Sequence, residues 1–397
     1  MTTTNQGTKP LEGIRVVELA RILAGPWAGQ VLADLGADVI KVESPDGDDT
    51  RRWGPPFIDR ENGSEDAAYY FACNRGKRSQ CIDFSTNQGQ AELHALLADA
   101  DVIIENFKVG SLKKVGLDYA SLKSRYPKLV YCSITGFGQQ GPYAQRAGYD
   151  FIVQGLSGIM DITGDPEGGP QKIGVAYADI FTGLYSVIAI QAALSQRDAS
   201  GVGQHIDMAL MDSMVGVLAN QGLNYLVSGD SPKRMGNRHP NIAPYETIQC
   251  ADGWIIIAVG NDSQFGKLCD VLGVSELRED ERFSSNSKRI KHRDSLSALL
   301  ADRVHAWTST DLLFALEKQG VPSSPINSVE QALNDPQVAY RKMVLSDDKL
   351  KPLGIRTPII SDRYNIDTSE VAPALDREVK HQWRLRATMK PNNRKQK

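Results

Sequence analysis

The chain has 397 residues, a formal net charge of −3, 41% hydrophobic residues and 23% charged residues. This length predicts two domains or one large composite domain with a substantial core, and the near-neutral charge gives no electrostatic case for nucleic-acid binding. The basic residues beyond Trp383 are a local exception. We expect them to form a solvated terminus, and a functional basic arm is the alternative.

Cysteine and histidine usage restricts the compartment and the cofactors. The five cysteines are scattered without a C-x-x-C pair, which argues against a disulfide framework and predicts a reducing cytoplasm. The histidines show no metal-ligand spacing, so we expect no metal site. The polar N-terminal start predicts no signal peptide. No uncharged apolar stretch reaches about 18 residues, so we expect no membrane span.

The first half of the chain alternates predicted strands and helices. Runs rich in β-branched residues predict strands at 13–20, 38–44, 101–107 and 128–138. Helical spacing of apolar residues predicts helices at 25–37, 89–100 and 118–127. This repetition predicts an α/β fold with a parallel sheet covered by helices on both faces. Ligands bind at the carboxyl edge of such sheets.

The second half shows a change of composition. A strand and then a helix are predicted within 203–226, and the polar stretch 227–244 reads as a domain boundary. Beyond it we predict a strand at 253–260, helices at 261–272 and 291–319, and a return crossing at 320–333. The predicted domains are therefore 1–227, a smaller α+β domain at 228–325, and a segment at 326–397 that returns to the first.

One carboxylate stands out in the stretch GVAYADIFTGLYSVIAIQAAL, residues 174–194. Asp179 begins a helix whose other residues are almost all apolar or small. Capping or first-turn placement explains an acid at this position, and catalysis is the alternative. The chain has no phosphate loop, no G-x-S-x-G elbow and no dinucleotide fingerprint, which weakens a nicotinamide function.

Five motifs in order carry a specific resemblance. They are LAGPWAGQVLADLGADVIKVESPDGDDTRRWGPPF, NRGKRS, ENFKVGSLKKVGLDY, YCSITGFGQQGPYAQRAGYD and the Asp179 segment. Together they resemble the class III CoA-transferases, also called the formyl-CoA transferase and carnitine CoA-transferase family. The chain is most similar to transferases of short dicarboxylates, such as the succinyl-CoA:glutarate and oxalate CoA-transferases.

The resemblance implies a role for Asp179 as the nucleophile. Its carboxylate would attack the donor thioester, and an aspartyl-CoA thioester would then pass CoA to an acceptor acid. The implied cofactor is coenzyme A, present as the acyl-CoA substrate, with no metal, nicotinamide or flavin. A helix N-terminus suits this chemistry because its N–H groups stabilise developing negative charge.

The resemblance also implies a CoA site. The positions that match the family's CoA contacts are Leu23, Ala24, Asn74, Arg75, Lys77, Asn106, Phe107, Lys108, Lys114, Thr135 and Gly136. Three of the aligned positions depart from the family: Leu23 replaces a frequent Gln, and Ser44 and Thr135 replace basic residues. Arg51 or Arg52 is a candidate to compensate at Ser44.

Further implied positions concern the substrate and the competing activity. The loop containing Gly236, Asn237, Arg238 and His239 matches a loop that closes over the active site, where the polar residues would bind the acceptor carboxylate. Tyr149 occupies the position of a histidine base in the related racemases. Because a tyrosine has a reference pKa of about 10, it argues for transfer over racemisation.

The family's assembly is a homodimer of interlocked chains, each with a Rossmann-like large domain and a smaller domain. The resemblance therefore implies acyl-CoA and carboxylic acid substrates, a second copy of the chain, and neither nucleic acid nor membrane as a partner. The sequence PALDREV at 373–379 replaces a family motif, so the final segment is expected to pack differently. A CoA-ester racemase or isomerase and a catalytically silent CoA-binding protein remain as alternatives.

Overall fold

The computed structural model describes residues 8–61, 63–346, 352–366, 370–375, 377–378 and 382–384. The basic tail beyond Arg384 lies outside the described residues, as do Asp376 and Val379 of the PALDREV segment. The chain forms two compact units. The first comprises residues 1–159, 172–227 and 336–397, and the second comprises residues 160–171 and 228–335.

The strands and helices follow in chain order. The strands are β1 (Arg15–Glu18), β2 (Asp38–Glu43), β3 (Phe57–Asp59), β4 (Glu65–Ala67), β5 (Arg78–Cys81), β6 (Val102–Glu105), β7 (Val130–Thr135), β8 (His205–Ala209), β9 (Tyr245–Gln249), β10 (Trp254–Ala258), β11 (Ser323–Pro325), β12 (Val344–Ser346) and β13 (Pro352–Ile355). The helices are α1 (Ala24–Asp34), α2 (Ala68–Asn74), α3 (Asn87–Leu97), α4 (Tyr119–Leu122), α5 (Asp150–Leu156), α6 (Tyr177–Ser200), α7 (Leu210–Gly216), α8 (Ala219–Ser228), α9 (Asp262–Leu272), α10 (Asn286–Lys291), α11 (Arg293–Val304), α12 (Ser309–Gln319), α13 (Val329–Leu333) and α14 (Pro336–Tyr340). Short 3₁₀ turns cover Asp49–Arg52, Leu112–Val115 and Ser275–Arg278.

The first unit is built on a parallel sheet, as the sequence predicted. Its strand order over the described residues is β5-β2-β1-β6-β7-β8, and every neighbouring pair is parallel. The chain runs outward from β1 in one direction and from β6 in the other, so the order reverses between these two strands. In open α/β sheets a crevice forms at such a reversal, outside the carboxyl ends of the strands.

The predicted strands of this sheet appear because their residues are buried on both faces. Every residue of β2 is buried, including its charged ones, as expected for the interior of a parallel sheet covered by helices. The predicted helix at 118–127 is shorter in the structure, where α4 ends at Leu122. The β3–β4 hairpin and the polar edge strand β5 were not predicted, because neither has an apolar run.

The second unit contains an antiparallel sheet in the order β11-β10-β9. Helices α9, α11 and α12 pack on it through a core that includes Phe265, Leu296 and Leu312. The predicted helix at 291–319 is divided into α11 and α12, because the Thr308 side chain accepts the Asp311 N–H (3.2 Å) and begins a new helix.

The second unit also differs in extent from the predicted range 228–325. Residues 160–171 belong to it, since the Gly236 N–H donates to the Gly164 carbonyl (3.1 Å) and Arg234 pairs with Asp161 (3.1 Å). At the other end the unit continues to Asp335. The predicted return crossing therefore forms β11, which pairs with β10.

Helix α6 is the core helix of the first unit. Among the described residues it alone has the length and apolar composition to cross a bilayer. It packs along α1, and it buries residues on one face, among them Ala178, Val187 and Ile190. Core helices of globular domains have the same character.

Candidate functional site

A cavity of about 550 Å³ opens where β1, β6 and β7 end. This place is the carboxyl edge of the parallel sheet, beside the reversal of strand order. The cavity brings together many of the residues that the sequence proposed for the site. Those in its lining are Leu23, Ala24, Asn106, Phe107, Lys108, Thr135, Gly136, Tyr149 and Asp179.

Asp179 lies in the first turn of α6, but it does not cap the helix. The cap comes from a distant residue: the Asp150 carboxylate accepts the N–H of Ala178 (2.8 Å) and of Asp179 (3.4 Å). Gln154 donates to the other oxygen of Asp150 (2.7 Å) and fixes its orientation. The Asp179 carboxylate accepts no hydrogen bond from any described residue. Its oxygens are therefore available to a substrate in the cavity.

The surroundings of Asp179 change its acidity. Burial, and after it the charge of Asp150, raises the pKa of Asp179 to about 7. At neutral pH the group is therefore partly ionised, and its basicity exceeds that of an ordinary aspartate. Strongly shifted carboxylates in a cleft are typical of catalytic positions.

Two of the lining residues are held by hydrogen bonds within the protein. Asn106 pairs with the backbone of Arg21, donating to its carbonyl (2.7 Å) and accepting its N–H (2.9 Å). The Thr135 hydroxyl accepts the N–H of Gly138 (2.9 Å) and shapes the turn after β7. Because the Asn106 amide is engaged in this way, its contribution to the cavity is to position the segment after β1.

Asn74, Arg75 and Lys77 lie in the core instead of the cavity lining. All three are almost completely buried. Lys77 donates to Asn74 (2.9 Å) and to the Pro26 carbonyl (2.8 Å), and it pairs with Glu18 (2.8 Å). Lys77 therefore supports the start of α1 from within the protein, and Arg75 pairs with Asp34 at the end of the same helix.

The candidates to compensate for Ser44 do not line the cavity. Arg51 is buried and pairs with Glu43 (2.7 Å) and Asp66 (2.9 Å). Arg52 is exposed and lies near Asp49 (3.6 Å). Lys114 is exposed in the 3₁₀ turn after β6 and is likewise outside the cavity lining.

The loop with Gly236, Asn237, Arg238 and His239 belongs to the second unit. Arg238 pairs there with Glu246 (3.2 Å) and Asp294 (2.8 Å), and Asn237 donates to the Thr247 hydroxyl (3.2 Å). The role of this loop in acceptor binding stays a prediction.

Several lining residues were not among the sequence candidates, and three of them are Asp150, Arg146 and Trp53. Asp150 follows Tyr149 directly and begins α5, a helix that was not predicted, and its contact with α6 depends on tertiary packing. Arg146 lies in the same motif and places its guanidinium 3.9 Å from the centre of the Tyr143 ring. Trp53 packs edge-on against Tyr69, with ring centres 5.4 Å apart. An exposed tryptophan or arginine is recognisable as a site residue only once the cavity is known.

The cavity lining combines several kinds of chemical group. It offers one unbonded carboxylate, cations at Arg21, Lys108 and Arg146, and the N-terminal end of α6. Among the described residues, no group of three histidine, cysteine or acidic side chains is placed to hold a metal ion. Cationic groups in the lining suit an anionic acyl substrate.

Comparison with known proteins identifies the family. A sequence model of CoA-transferase family III matches residues 11–378. The succinate–glutarate CoA-transferase of Agrobacterium fabrum is 54% identical over 94% of this chain and 95% of that protein. Human succinyl-CoA:glutarate CoA-transferase is 39% identical over 92% of this chain and 83% of its own length.

A solved structure agrees with this relationship. The crystal structure of a CaiB/BaiF family protein from Brucella suis has a TM-score of 0.84 and 62% sequence identity. The match covers 93% of this chain and 97% of that one. The resemblance of the five motifs is therefore confirmed, and the chain belongs to CoA-transferase family III, whose members use CoA thioesters as substrates.

Proposed function

We propose that this enzyme transfers CoA from succinyl-CoA to glutarate or another short dicarboxylate, through an aspartyl-CoA thioester on Asp179. The observation that carries the proposal is the unbonded Asp179 carboxylate, held in the cavity by the Asp150 cap on α6. The names of the relatives support the choice of dicarboxylates.

The reaction runs in four steps, and every intermediate holds an activated acyl group, either as an anhydride or as a thioester. An oxygen of Asp179 attacks the donor thioester carbon, which expels the CoA thiolate and forms a mixed anhydride. The thiolate then attacks the Asp179 carbonyl carbon and releases succinate, which forms the aspartyl-CoA thioester. The acceptor carboxylate attacks this thioester and displaces the thiolate again. Finally the thiolate attacks the acceptor carbonyl, which yields the new acyl-CoA and frees Asp179.

Each step places negative charge close to the start of α6. The N–H groups of Ala178 and Asp179 at this end are already bonded to Asp150, so the positive charge that stabilises the oxyanions at the Asp179 carbonyl comes from cations of the cavity lining. Lys108 and Arg146, which also line the cavity, provide positive charge for the CoA phosphates or for the second carboxylate of the dicarboxylate.

The proposal includes a homodimer. Helix α8 buries none of its residues, although it carries Leu223, Tyr225 and Leu226. Leu226 and the neighbouring Val227 are 77% and 81% exposed. Contiguous exposed apolar surface on a soluble chain marks an association surface. We assign it to a second copy of the chain, as the resemblance to the interlocked family members suggests.

A transfer assay tests the proposed function. Purified protein is incubated with succinyl-CoA and glutarate, oxalate or itaconate, and the new acyl-CoA is separated and measured. We expect transfer to at least one dicarboxylate, loss of at least about a thousandfold in Asp179→Asn as for removal of a covalent nucleophile, and full activity in Asp46→Asn. Asp46 is a matched control because its carboxylate is exposed in the loop after β2.

The alternatives give different outcomes. A CoA-ester racemase or isomerase would exchange the α-proton of the acyl group with deuterium from the solvent and would form no new acyl-CoA. A silent binder would bind CoA and turn over nothing. Either result with folded wild-type protein would overturn the proposed transfer.

A further inference from the structure

The turn that joins β1 to α1 has an unusual backbone. Ile22 has a φ of 71°, in the left-handed region that β-branched residues rarely adopt. Leu23 and Ala24 follow it at the start of α1, and the segment from Arg21 to Ala24 lines the Asp179 cavity. If Ile22 relaxed to a negative φ, the backbone of Leu23 and Ala24 would change direction, and so would this side of the cavity.

Side chains from three other segments hold the turn in place. Asp48 accepts the Ile22 N–H (3.3 Å), and the Cys73 thiol donates to the Ile22 carbonyl (3.5 Å). Asn106 engages both backbone groups of Arg21. Every backbone polar group of Arg21 and Ile22 is therefore bonded to a side chain.

Asp48 is itself fixed by a buried set of charges. One oxygen accepts the N–H of Thr50 (3.0 Å) and its hydroxyl (2.8 Å), and the other lies 2.9 Å from the Lys41 ammonium. Burial opposes ionisation, but Lys41 prevails and lowers the pKa of Asp48 to about 2. Asp48 is therefore a permanent, charged acceptor for the Ile22 N–H.

Two buried lysines bind the backbone on either side of the turn. Lys41 donates to the Ala20 carbonyl (2.8 Å) just before it and pairs with Glu18 (3.1 Å). Lys77 also pairs with Glu18 and donates to the Pro26 carbonyl just after it. The turn is thus anchored at its two ends and at its centre.

We propose that Asp48 is a positioning residue for CoA transfer: it holds Ile22 in the left-handed conformation and so sets the Leu23–Ala24 wall against the bound acyl-CoA. This inference rests on the proposed function, because it assumes that acyl-CoA occupies the cavity. In this role Asp48 acts on the cavity through the backbone of the turn.

The test is a rescue experiment with Asp48→Asn, Ile22→Gly and the double variant. Asn keeps the size of Asp48 but not its charge or its second acceptor. We expect Asp48→Asn to raise KM for succinyl-CoA about tenfold, with kcat changed less than about threefold, as for loss of a hydrogen bond to a charged group. Glycine adopts positive φ without steric cost, so Ile22→Gly in the same chain restores KM to within about threefold.

Asp46→Asn serves as the control, since it makes the same chemical change at an exposed position in the same loop. Hydrogen exchange of the peptide that contains the Ile22 amide gives a second readout, and it accelerates in Asp48→Asn but not in Asp46→Asn. If Asp48→Asn does not fold, Asn106→Ala releases the turn from the side of β6. Ile22→Gly should restore KM in Asn106→Ala if that variant only releases the turn. It should not restore KM if Asn106→Ala removes a substrate contact.

An unchanged KM in folded Asp48→Asn, or a raised KM that Ile22→Gly does not restore, overturns the positioning role. Failure of the proposed function gives a different pattern, in which wild-type protein transfers no CoA to any acid. In that case the dissociation constant of CoA and the exchange of the Ile22 amide still report whether Asp48 holds the turn.

Discussion

At the scale of the residue, the proposed catalytic carboxylate of Asp179 depends on the carboxylate of Asp150. Asp150 caps α6 by accepting the N–H groups of Ala178 and Asp179, and the Asp179 carboxylate accepts no hydrogen bond from any described residue. The same charge that caps the helix also raises the pKa of Asp179. Asp150 therefore helps to position the proposed nucleophile and adds to the effect of burial on its basicity.

The pH dependence of the reaction follows from this pair. Asp179 must be ionised to attack, so we expect kcat/KM for succinyl-CoA to rise with pH through a midpoint of about 7. Asp150→Asn keeps an oxygen to cap α6 and removes the neighbouring charge that raises the pKa of Asp179. The midpoint should therefore move to lower pH. Asp165→Asn, an exposed acid of the second unit, leaves it in place.

Rate measurements between pH 4.5 and pH 9 in one buffer series check this expectation; the range spans about 2 pH units on either side of the midpoint. A midpoint that stays the same in Asp150→Asn would show that the charge of Asp150 does not act on Asp179. A midpoint that rises would contradict the sign of the interaction.

At the scale of the element, α6 and the neighbouring α1 are in close contact. Gly183 of α6 faces α1, and a Cβ at this position would lie 2.7 Å from the Ala24 carbonyl oxygen. Ala24 lines the cavity. The absence of a side chain at Gly183 therefore sets how close the two walls of the site approach.

Gly183→Ala tests this packing. The added methyl group must push α1 away from α6, so we expect a loss of about 1–3 kcal/mol in the free energy of unfolding and a higher KM for acyl-CoA. Gly216→Ala is the matched control, because no atom lies within 4 Å of a Cβ built there and alanine favours the helix. Denaturant unfolding and steady-state kinetics measure both effects. Equal stability of the two variants would contradict the close packing.

The elements differ in how far the sequence predicts them. The strands β1, β2, β6 and β7 are predicted because β-branched residues buried on both faces form short apolar runs. The edge strand β5 is not, since its sequence RSQC is polar and it is defined by pairing with β2. Pairing partners are distant in sequence, and local patterns do not contain them.

The site residues likewise divide into those that the sequence predicts and those that only the tertiary structure reveals. Asp179 stands out in its own segment and becomes a candidate nucleophile through the family resemblance, but its cap is 29 residues away and depends on how α5 and α6 pack. Lys77 belongs to a motif that suggests a CoA contact, and basic side chains are usually exposed. Its burial requires Glu18 as a partner, which only the tertiary structure reveals.

At the scale of the whole molecule, the exposed face of α8 predicts association. If α8 lies in a homodimer interface, Leu226→Glu buries an unpaired charge there, and the dimer dissociation constant should increase at least about tenfold. Gln319→Glu adds the same charge to the exposed surface of α12 and should have no effect. Sedimentation velocity over a concentration series measures both. A wild-type monomer, or equal dimerisation of the two variants, would contradict the proposed assembly.

The proposed reaction depends on a covalent intermediate at Asp179. The most direct measurement is a mass spectrum of the protein mixed with succinyl-CoA and quenched rapidly with hydroxylamine, which converts an activated aspartyl group into a hydroxamate. We predict a hydroxamate on the peptide that contains Asp179. The hydroxamate should be absent from Asp179→Asn and from wild-type protein that receives no succinyl-CoA. Transfer activity with an unmodified Asp179 peptide would contradict the aspartyl-CoA mechanism.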